Sequence, residues 1–216
     1  MHFILKIMEK QDIRTFGRIH GKRLSPRQQS LVDNLLPKLI PQQIGNTDHI
    51  LEIGFGAGEH LLELSAMNPD KTIIGAEPFI NGVASLLSKI TDENNNVKPE
   101  YKNIHIWPDD IRKLIKDTDL KFSQIWVLHP DPWPKARHEK RRLLSSEFLS
   151  LLTKHLTSDG QIIIGTDHYE YYDWIIQQLP KTKLSIAGDQ LSVIETRYQQ
   201  KNKAGTITPK YLILSP

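Results

Sequence analysis

Between residues 49 and 179 the chain keeps switching between two hydrophobic periods. Short runs rich in Ile, Leu and Val at 49–53, 72–76, 104–107, 124–128 and 161–165 alternate with helical patterns at 59–67, 82–90, 111–116, 145–155 and 168–179. Parallel strands cannot be joined by a tight turn. They need a crossover of a dozen or more residues, and a helix lying on the sheet supplies it. The alternation therefore predicts an α/β fold, a doubly wound and mostly parallel sheet covered by helices on both faces. After residue 180 it stops, and 184–196 and 211–214 read as two strands joined by a polar loop, an antiparallel hairpin at one edge. Ligand sites of doubly wound sheets lie at the C-terminal ends of the strands, which is where to look for chemistry.

A chain of 216 residues is long enough to bury a two- or three-layer core in one domain. We place that domain at 25–216. Residues 1–24 carry Arg14, Arg18, Lys22 and Arg23 among few apolar anchors and are expected to form a flexible basic arm. Ser25-Pro26-Arg27-Gln28 opens a helix: Ser25 caps, Pro26 suits the first helical position, and Gln28 completes a capping-box spacing. The 28 basic and 25 acidic residues nearly cancel, so any nucleic-acid argument rests on local clustering. Cysteine is absent, which excludes disulfides and thiol or Cys-zinc chemistry. The opening MHFILKIMEK is too short and interrupted for a signal-peptide core, and no stretch approaches the roughly 18–20 apolar residues of a membrane span. The expectation is a soluble cytoplasmic protein with no membrane association.

The run Leu51-Glu52-Ile53-Gly54-Phe55-Gly56-Ala57-Gly58-Glu59 closes the first strand and opens the first crossover helix. Gly54, Gly56 and Gly58 permit a tight turn and let backbone amides approach a ligand closely. Such a loop alone is shared by many nucleotide binders, but two acids narrow the choice. Glu77 ends the second strand, nineteen residues past Gly58, where a carboxylate can accept both ribose hydroxyls. Glu52 would repel a pyrophosphate yet tolerate the sulfonium and ammonium groups of S-adenosylmethionine. The glycine spacing, Gly-x-Gly-x-Gly, also departs from the dinucleotide fingerprint. Asp109 and Asp110 end the third strand. One can bond an adenine amino group while the other caps the next helix; Asp109, nearer the strand end, is our choice for the adenine.

The fourth strand stops abruptly in Pro130-Asp131-Pro132-Trp133-Pro134. Three prolines can continue neither a ladder nor a helix, so Asp131 and Trp133 sit in a stiff turn with little conformational entropy left to lose. Lys135, Arg137, Lys140, Arg141 and Arg142 follow, with His138 among them. A rigid acid and an indole beside clustered cations suit a site that receives a nucleobase while the cations hold phosphates. Trp133 is equally compatible with stacking on a base and with a wedge behind the loop. Asp167, with Glu170 three residues on, has a capping-box reading.

With the Glu52 glycine loop, Glu77 and the PDPWPKARHEKRR run, the chain resembles the bacterial tRNA (guanine-N7)-methyltransferases. The resemblance runs from Arg14-Thr15-Phe16-Gly17-Arg18 through LEIGFGAGEH and Gly165-Thr166-Asp167 to Thr196-Arg197-Tyr198. The proline-rich element is specific to that family, whereas the glycine loop marks only the wider methyltransferase class. The resemblance implies a Rossmann-like methyltransferase fold of seven strands that moves a methyl group from S-adenosylmethionine to N7 of the guanine at position 46, in the tRNA variable loop. It implies that Glu52, Glu77, Asp109 and Asp131 contact the donor, with Asp131 also at the reaction centre. Lys135, Asp167, Thr196, Arg197, Tyr198 and Gln199 would contact the guanine or its nucleotide, and Arg137, His138, Lys140, Arg141 and Arg142 would meet RNA. Gln199 stands where the family usually has Glu, and can still accept a bond from a guanine N–H without charge assistance.

Guanine N7 carries a lone pair and no proton, so its methylation by in-line displacement needs no obligatory general base. A carboxylate such as Asp131 can hold the base and offset its developing positive charge. No histidine stands in metal-ligand spacing with acids, so no metal is expected. The expected partner is tRNA, with no obligatory protein partner, as monomer or homodimer. Competing readings are a methyltransferase for another RNA base or a small molecule, a non-catalytic RNA-binding module, and an NAD-dependent oxidoreductase. The last is disfavoured by Glu52, by the glycine spacing and by the lack of chain for a substrate domain.

Overall fold

Each run between 49 and 165 that the sequence reads as a strand contains one. The computed structural model describes residues 13, 15–17, 19, 21–41, 48–116, 118–188 and 209–216, grouped into two compact units, Met1–Leu120 and Lys121–Pro216. In the first unit β1 (His49–Ile53), β2 (Thr72–Ala76) and β3 (Ile104–Trp107) pair in parallel in the order β3-β2-β1. Every residue of β1 is buried, as expected for a parallel strand covered on both faces. The strand ends are level, with Ile53 opposite Ala76 and Ala76 opposite Trp107.

Helices flank these strands. The capping box of α1 (Pro26–Asn34) is present: Ser25 Oγ accepts from Gln28 N at 3.3 Å and Gln28 Oε1 accepts from Ser25 N at 3.0 Å. A short α2 (Leu36–Leu39) follows, and α3 (Glu59–Met67) and α4 (Ile80–Ile90) are crossover helices. α4 buries Val83, Ala84, Leu86, Leu87 and Ile90 without exposure, and α1 packs on it. Within 92–96 the Asp92 carboxylate accepts from Asn94 N and Asn96 N, and Asn95 takes φ +63°. The described parts of the N-terminal stretch are tied down: Thr15 Oγ1 donates to Asp110 Oδ2 at 2.9 Å, Ile80 N to Ile19 O at 3.1 Å, and Asn81 Nδ2 to Lys22 O at 2.6 Å. Arg14 and Arg18 lie outside the described residues.

In the second unit β4 (Phe122–Leu128), β5 (Leu156–Thr166), β6 (Ser185–Gly188) and β7 (Lys210–Ser215) follow the order β4-β5-β7-β6. β4 and β5 are parallel, while β5–β7 and β6–β7 are antiparallel. The seven strands, mostly parallel with an antiparallel C-terminal edge, match the expected fold class. α6 (Ser146–Lys154) and α7 (Tyr169–Gln178) flank β5 in sequence. Two strands start two or more residues before the sequence reading. β4 begins two residues before 124, at the fully buried Phe122. β5 begins at Leu156, not 161, because Thr157-Ser158-Asp159-Gly160 stays in the strand as an irregularity opposite Phe122–Gln124. Polar residues ending in Asp-Gly carry a turn signal, and tertiary pairing overrides it. Of the expected strand 184–196, only residues up to 188 are described.

Candidate active site

The loop after β1 rests on three left-handed glycines, Gly54 (φ +78°), Gly56 (φ +57°) and Gly58 (φ +84°), a conformation L side chains resist. Their surroundings differ. A Cβ added at Gly58 would come within 2.6 Å of Leu86 Cδ1, whereas one at Gly54 or Gly56 would meet nothing within 4 Å. Gly58 is glycine for packing; Gly54 and Gly56 border open space that a ligand can use.

Glu77, 8% exposed, ties this loop to β2. Its Oε2 accepts from Gly56 N and its Oε1 from Phe79 N, both at 2.8 Å. A carboxylate at the end of β2, with about four lone-pair sites, is the kind of group that accepts ribose hydroxyls. Glu52 is 3% exposed; His60 Nδ1 lies 3.2 Å from its Oε1, and its Oε2 is buried without a hydrogen-bond partner. An unsatisfied buried carboxylate oxygen is costly unless positive charge comes near, which suits a cationic ligand and opposes a pyrophosphate. His60, in the first turn of α3, carries no signal in the sequence that would pair it with Glu52.

The structure separates the two aspartates after β3. Asp110 is the N-cap of α5 (Ile111–Ile115), accepting from Arg112 N at 3.0 Å. It also pairs with the Arg112 guanidinium at 2.6 Å. Burial pushes its carboxyl up, but Arg112 and the Thr15 hydroxyl outweigh this and hold it below the usual carboxylate value. Asp109 is held by Lys113 at 2.8 Å and has no part in the cap. Open space at the glycines, the unsatisfied buried oxygen of Glu52 and the Glu77 carboxylate at the end of β2 together fit S-adenosylmethionine.

In the second unit, His129 ends β4 at φ +50°, its N–H donating to Gly165 O at 2.7 Å. The proline turn follows, with Trp133 at φ +43°. Asp131, Lys135, Arg137 and Lys140 are exposed, the last two on a 3-10 helix, Ala136–Arg141. Trp133 meets His138 edge-on at 5.7 Å and carries the Arg141 guanidinium 4.9 Å from its ring centre. Desolvation and repulsion from Arg141, Arg137 and Lys135 hold the His138 imidazole below its ordinary value. Arg142 faces the fold: its Nε donates to Pro132 O at 2.9 Å and its guanidinium lies 5.0 Å from the Trp174 ring centre.

Asp167 does not cap α7. His168 does, through Nδ1 accepting from Tyr171 N at 3.3 Å, an unusual cap that sequence reasoning missed. The Asp167 carboxylate lies 3.9 Å from His129 Nδ1. Burial lowers the His129 pKa, and Asp167 opposes that shift without cancelling it. Thr196, Arg197, Tyr198 and Gln199 lie outside the described residues. Among the described residues no cluster of three His, Asp or Glu side chains could hold a metal ion, and no helix is long and apolar enough to cross a membrane.

Residues 46–206 match a family model described as "Putative methyltransferase", which defines the class: this is a methyltransferase-family chain. Its fold resembles that of the 16S rRNA methyltransferase KamB, with a TM-score of 0.57 at 14% identity, covering 92% of this chain and 99% of that one. A tRNA (guanine-N(7)-)-methyltransferase of Caulobacter vibrioides (strain NA1000 / CB15N) is 34% identical over 218 residues, 93% of each chain. Its namesake in Novosphingobium aromaticivorans is 41% identical over 169 residues, 73% of this chain and 71% of its own. The chain belongs to the tRNA (guanine-N(7)-)-methyltransferase family.

Proposed function

We propose that this protein transfers the methyl group of S-adenosylmethionine to N7 of the guanine at position 46 in the variable loop of tRNA. The observation that carries the reading is the second unit's turn, in a chain of this family: an exposed carboxylate, Asp131, in a rigid proline frame beside the exposed cations Lys135, Arg137 and Lys140.

When bound, S-adenosylmethionine supplies a methyl group made electrophilic by its sulfonium. The first unit's residues hold it. Glu77 accepts the ribose hydroxyls, Asp109 accepts from the adenine amino group, and the buried charge of Glu52 favours the cationic end. Gly54 and Gly56 leave room for close approach. Asp131 contacts the donor and holds the guanine edge, offsetting the charge the base gains as N7 is alkylated. No residue has to remove a proton from N7, so positioning supplies much of the acceleration. Lys135, Asp167 and the 196–199 segment hold the guanine nucleotide, with Arg137, His138, Lys140 and Arg141 along the RNA. Residues 25–216 supply the methyltransferase domain, 1–24 a basic arm. The protein works in the cytoplasm, as monomer or homodimer, without an obligatory protein partner.

The test is to incubate the purified protein with S-adenosylmethionine and unmodified tRNA and map the methylated base. We expect N7-methylguanosine at position 46, lost when that guanine is replaced. A methyl group on another base, or none, overturns the reading.

A further inference from the structure

We infer that Arg142 is the positioning residue of the Asp131 turn and not, as its place in the basic run suggests, a phosphate contact. The inference rests on the proposed function and adds a division of labour within the basic run.

The turn is under strain that something must hold. Trp133 sits at φ +43°, a left-handed conformation that for a non-glycine residue persists only where its surroundings over-determine it. Arg142 grips the chain on both sides of that strain. Its Nε donates to Pro132 O at 2.9 Å and its Nη2 to Trp133 O at 3.5 Å. These are the two carbonyls directly after Asp131, so the guanidinium restricts how the carboxylate can be presented.

The guanidinium is in turn held by α7. Its carbon lies 5.0 Å from the Trp174 ring centre and 5.6 Å from that of Tyr171. Trp174 is oriented by its indole N–H, which donates to Glu139 Oε1 at 2.5 Å. Tyr171 is fully buried, and its hydroxyl accepts from Leu144 N at 3.3 Å. Burial pushes that hydroxyl up to about 12, with Arg142 pulling it down and Asp131 pushing it up. Tyr171 therefore lies near both Arg142 and Asp131. A planar fork can donate to carbonyls and stack on an indole together; an ammonium group cannot. Arg137 and Lys140, by contrast, are exposed.

The test compares the wild-type protein with Arg142→Ala, Arg142→Lys, Trp174→Leu and Lys140→Ala. Two quantities are read: the single-turnover methylation rate at saturating tRNA, and the slope of log tRNA affinity against log salt. We expect Arg142→Ala to slow the single turnover about 100-fold, the effect of a catalytic group displaced by about 1 Å, with an unchanged salt slope. Arg142→Lys should stay slow although the charge is kept. Lys140→Ala should flatten the slope by roughly 0.7–0.9. If Arg142→Ala does not fold, Trp174→Leu, which keeps Arg142 but removes its platform, should still slow the turnover without touching the slope. The inference is overturned if Arg142→Ala flattens the slope at a near-wild-type rate, if Arg142→Lys restores the rate, or if Trp174→Leu turns over normally. A wild-type protein that forms no N7-methylguanosine overturns the proposed function instead, before any variant is compared.

Discussion

Glu77→Ala should damage the protein in two separable ways. The Glu77 carboxylate accepts from Gly56 N and Phe79 N at 2.8 Å each, so alanine leaves two backbone donors without their partner. A hydrogen bond to a charged group contributes about 1.5–3 kcal/mol. The two share one carboxylate and one loop, so their losses do not simply add, and the expected cost is about 2–4 kcal/mol of unfolding free energy. Glu77→Gln keeps one acceptor and turns an amide N–H toward the other donor, so it should lose roughly half as much. The second effect concerns the donor. If the ribose bonds carry a further 1.5–3 kcal/mol or so, affinity for S-adenosylhomocysteine falls roughly 10- to 150-fold. Urea melts measure the first effect and calorimetry the second. In a melt, ligand at about 100 times its wild-type dissociation constant should add about 2.7 kcal/mol to the wild type and far less to the variant. A stability loss under about 1 kcal/mol with unchanged affinity would refute both the loop anchor and the ribose site.

Gly56→Ala should cost about 1–2 kcal/mol of left-handed strain and weaken donor binding in calorimetry, since its Cβ enters open space. Gly82→Ala brings a Cβ to 2.3 Å from Gly56 O, so urea melts should show an overpacking loss of about 1–3 kcal/mol with a distorted loop behind it. The depressed Asp110 pKa makes the stability it contributes fully present above its unfolded value of about 3.9 and lost as pH falls through its lower folded value. The gap between wild type and Asp110→Asn in melts should therefore be widest near neutral pH and close in acid. Asp131→Asn should keep the fold, since the prolines remain, yet lower single-turnover methylation by orders of magnitude; a near-wild-type rate would leave Asp131 only a structural role. Joint replacement of Arg137 and Lys140 by Ala should flatten the salt dependence of tRNA binding by roughly 0.7–0.9 per lost phosphate contact, leaving donor affinity intact.

What was legible in the sequence was whatever a local pattern encodes. β1, β2, β3 and α3 occur at their expected residues because a buried parallel strand is a short apolar run and a crossover helix has its own period. The Ser25 cap was legible because both partners lie within four residues. The start of β5 was not, since Asp159-Gly160 reads as a turn until Phe122 is known to lie opposite. Nor was the histidine cap of α7, because histidine at that position has no strong preference to read.

The candidate site divides in the same way. Glycine spacing and proline framing are chain-local, so the loop and the turn could be singled out without coordinates. Which member of each polar cluster serves the ligand is decided by contacts distant in sequence. Asp110 is engaged by Arg112 and Thr15, and Arg142 by Pro132 and Trp174. The Glu52–His60 pair depends on the helix folding back over the strand it follows. A run of five cations looks uniform in one dimension, yet in the fold Arg142 is turned inward while Arg137 and Lys140 stay exposed. A guanidinium bonded to Pro132 O and stacked on Trp174 neutralises no phosphate, so it releases none of the counterions condensed on the RNA. Its removal should therefore act on the rate and not on the salt dependence.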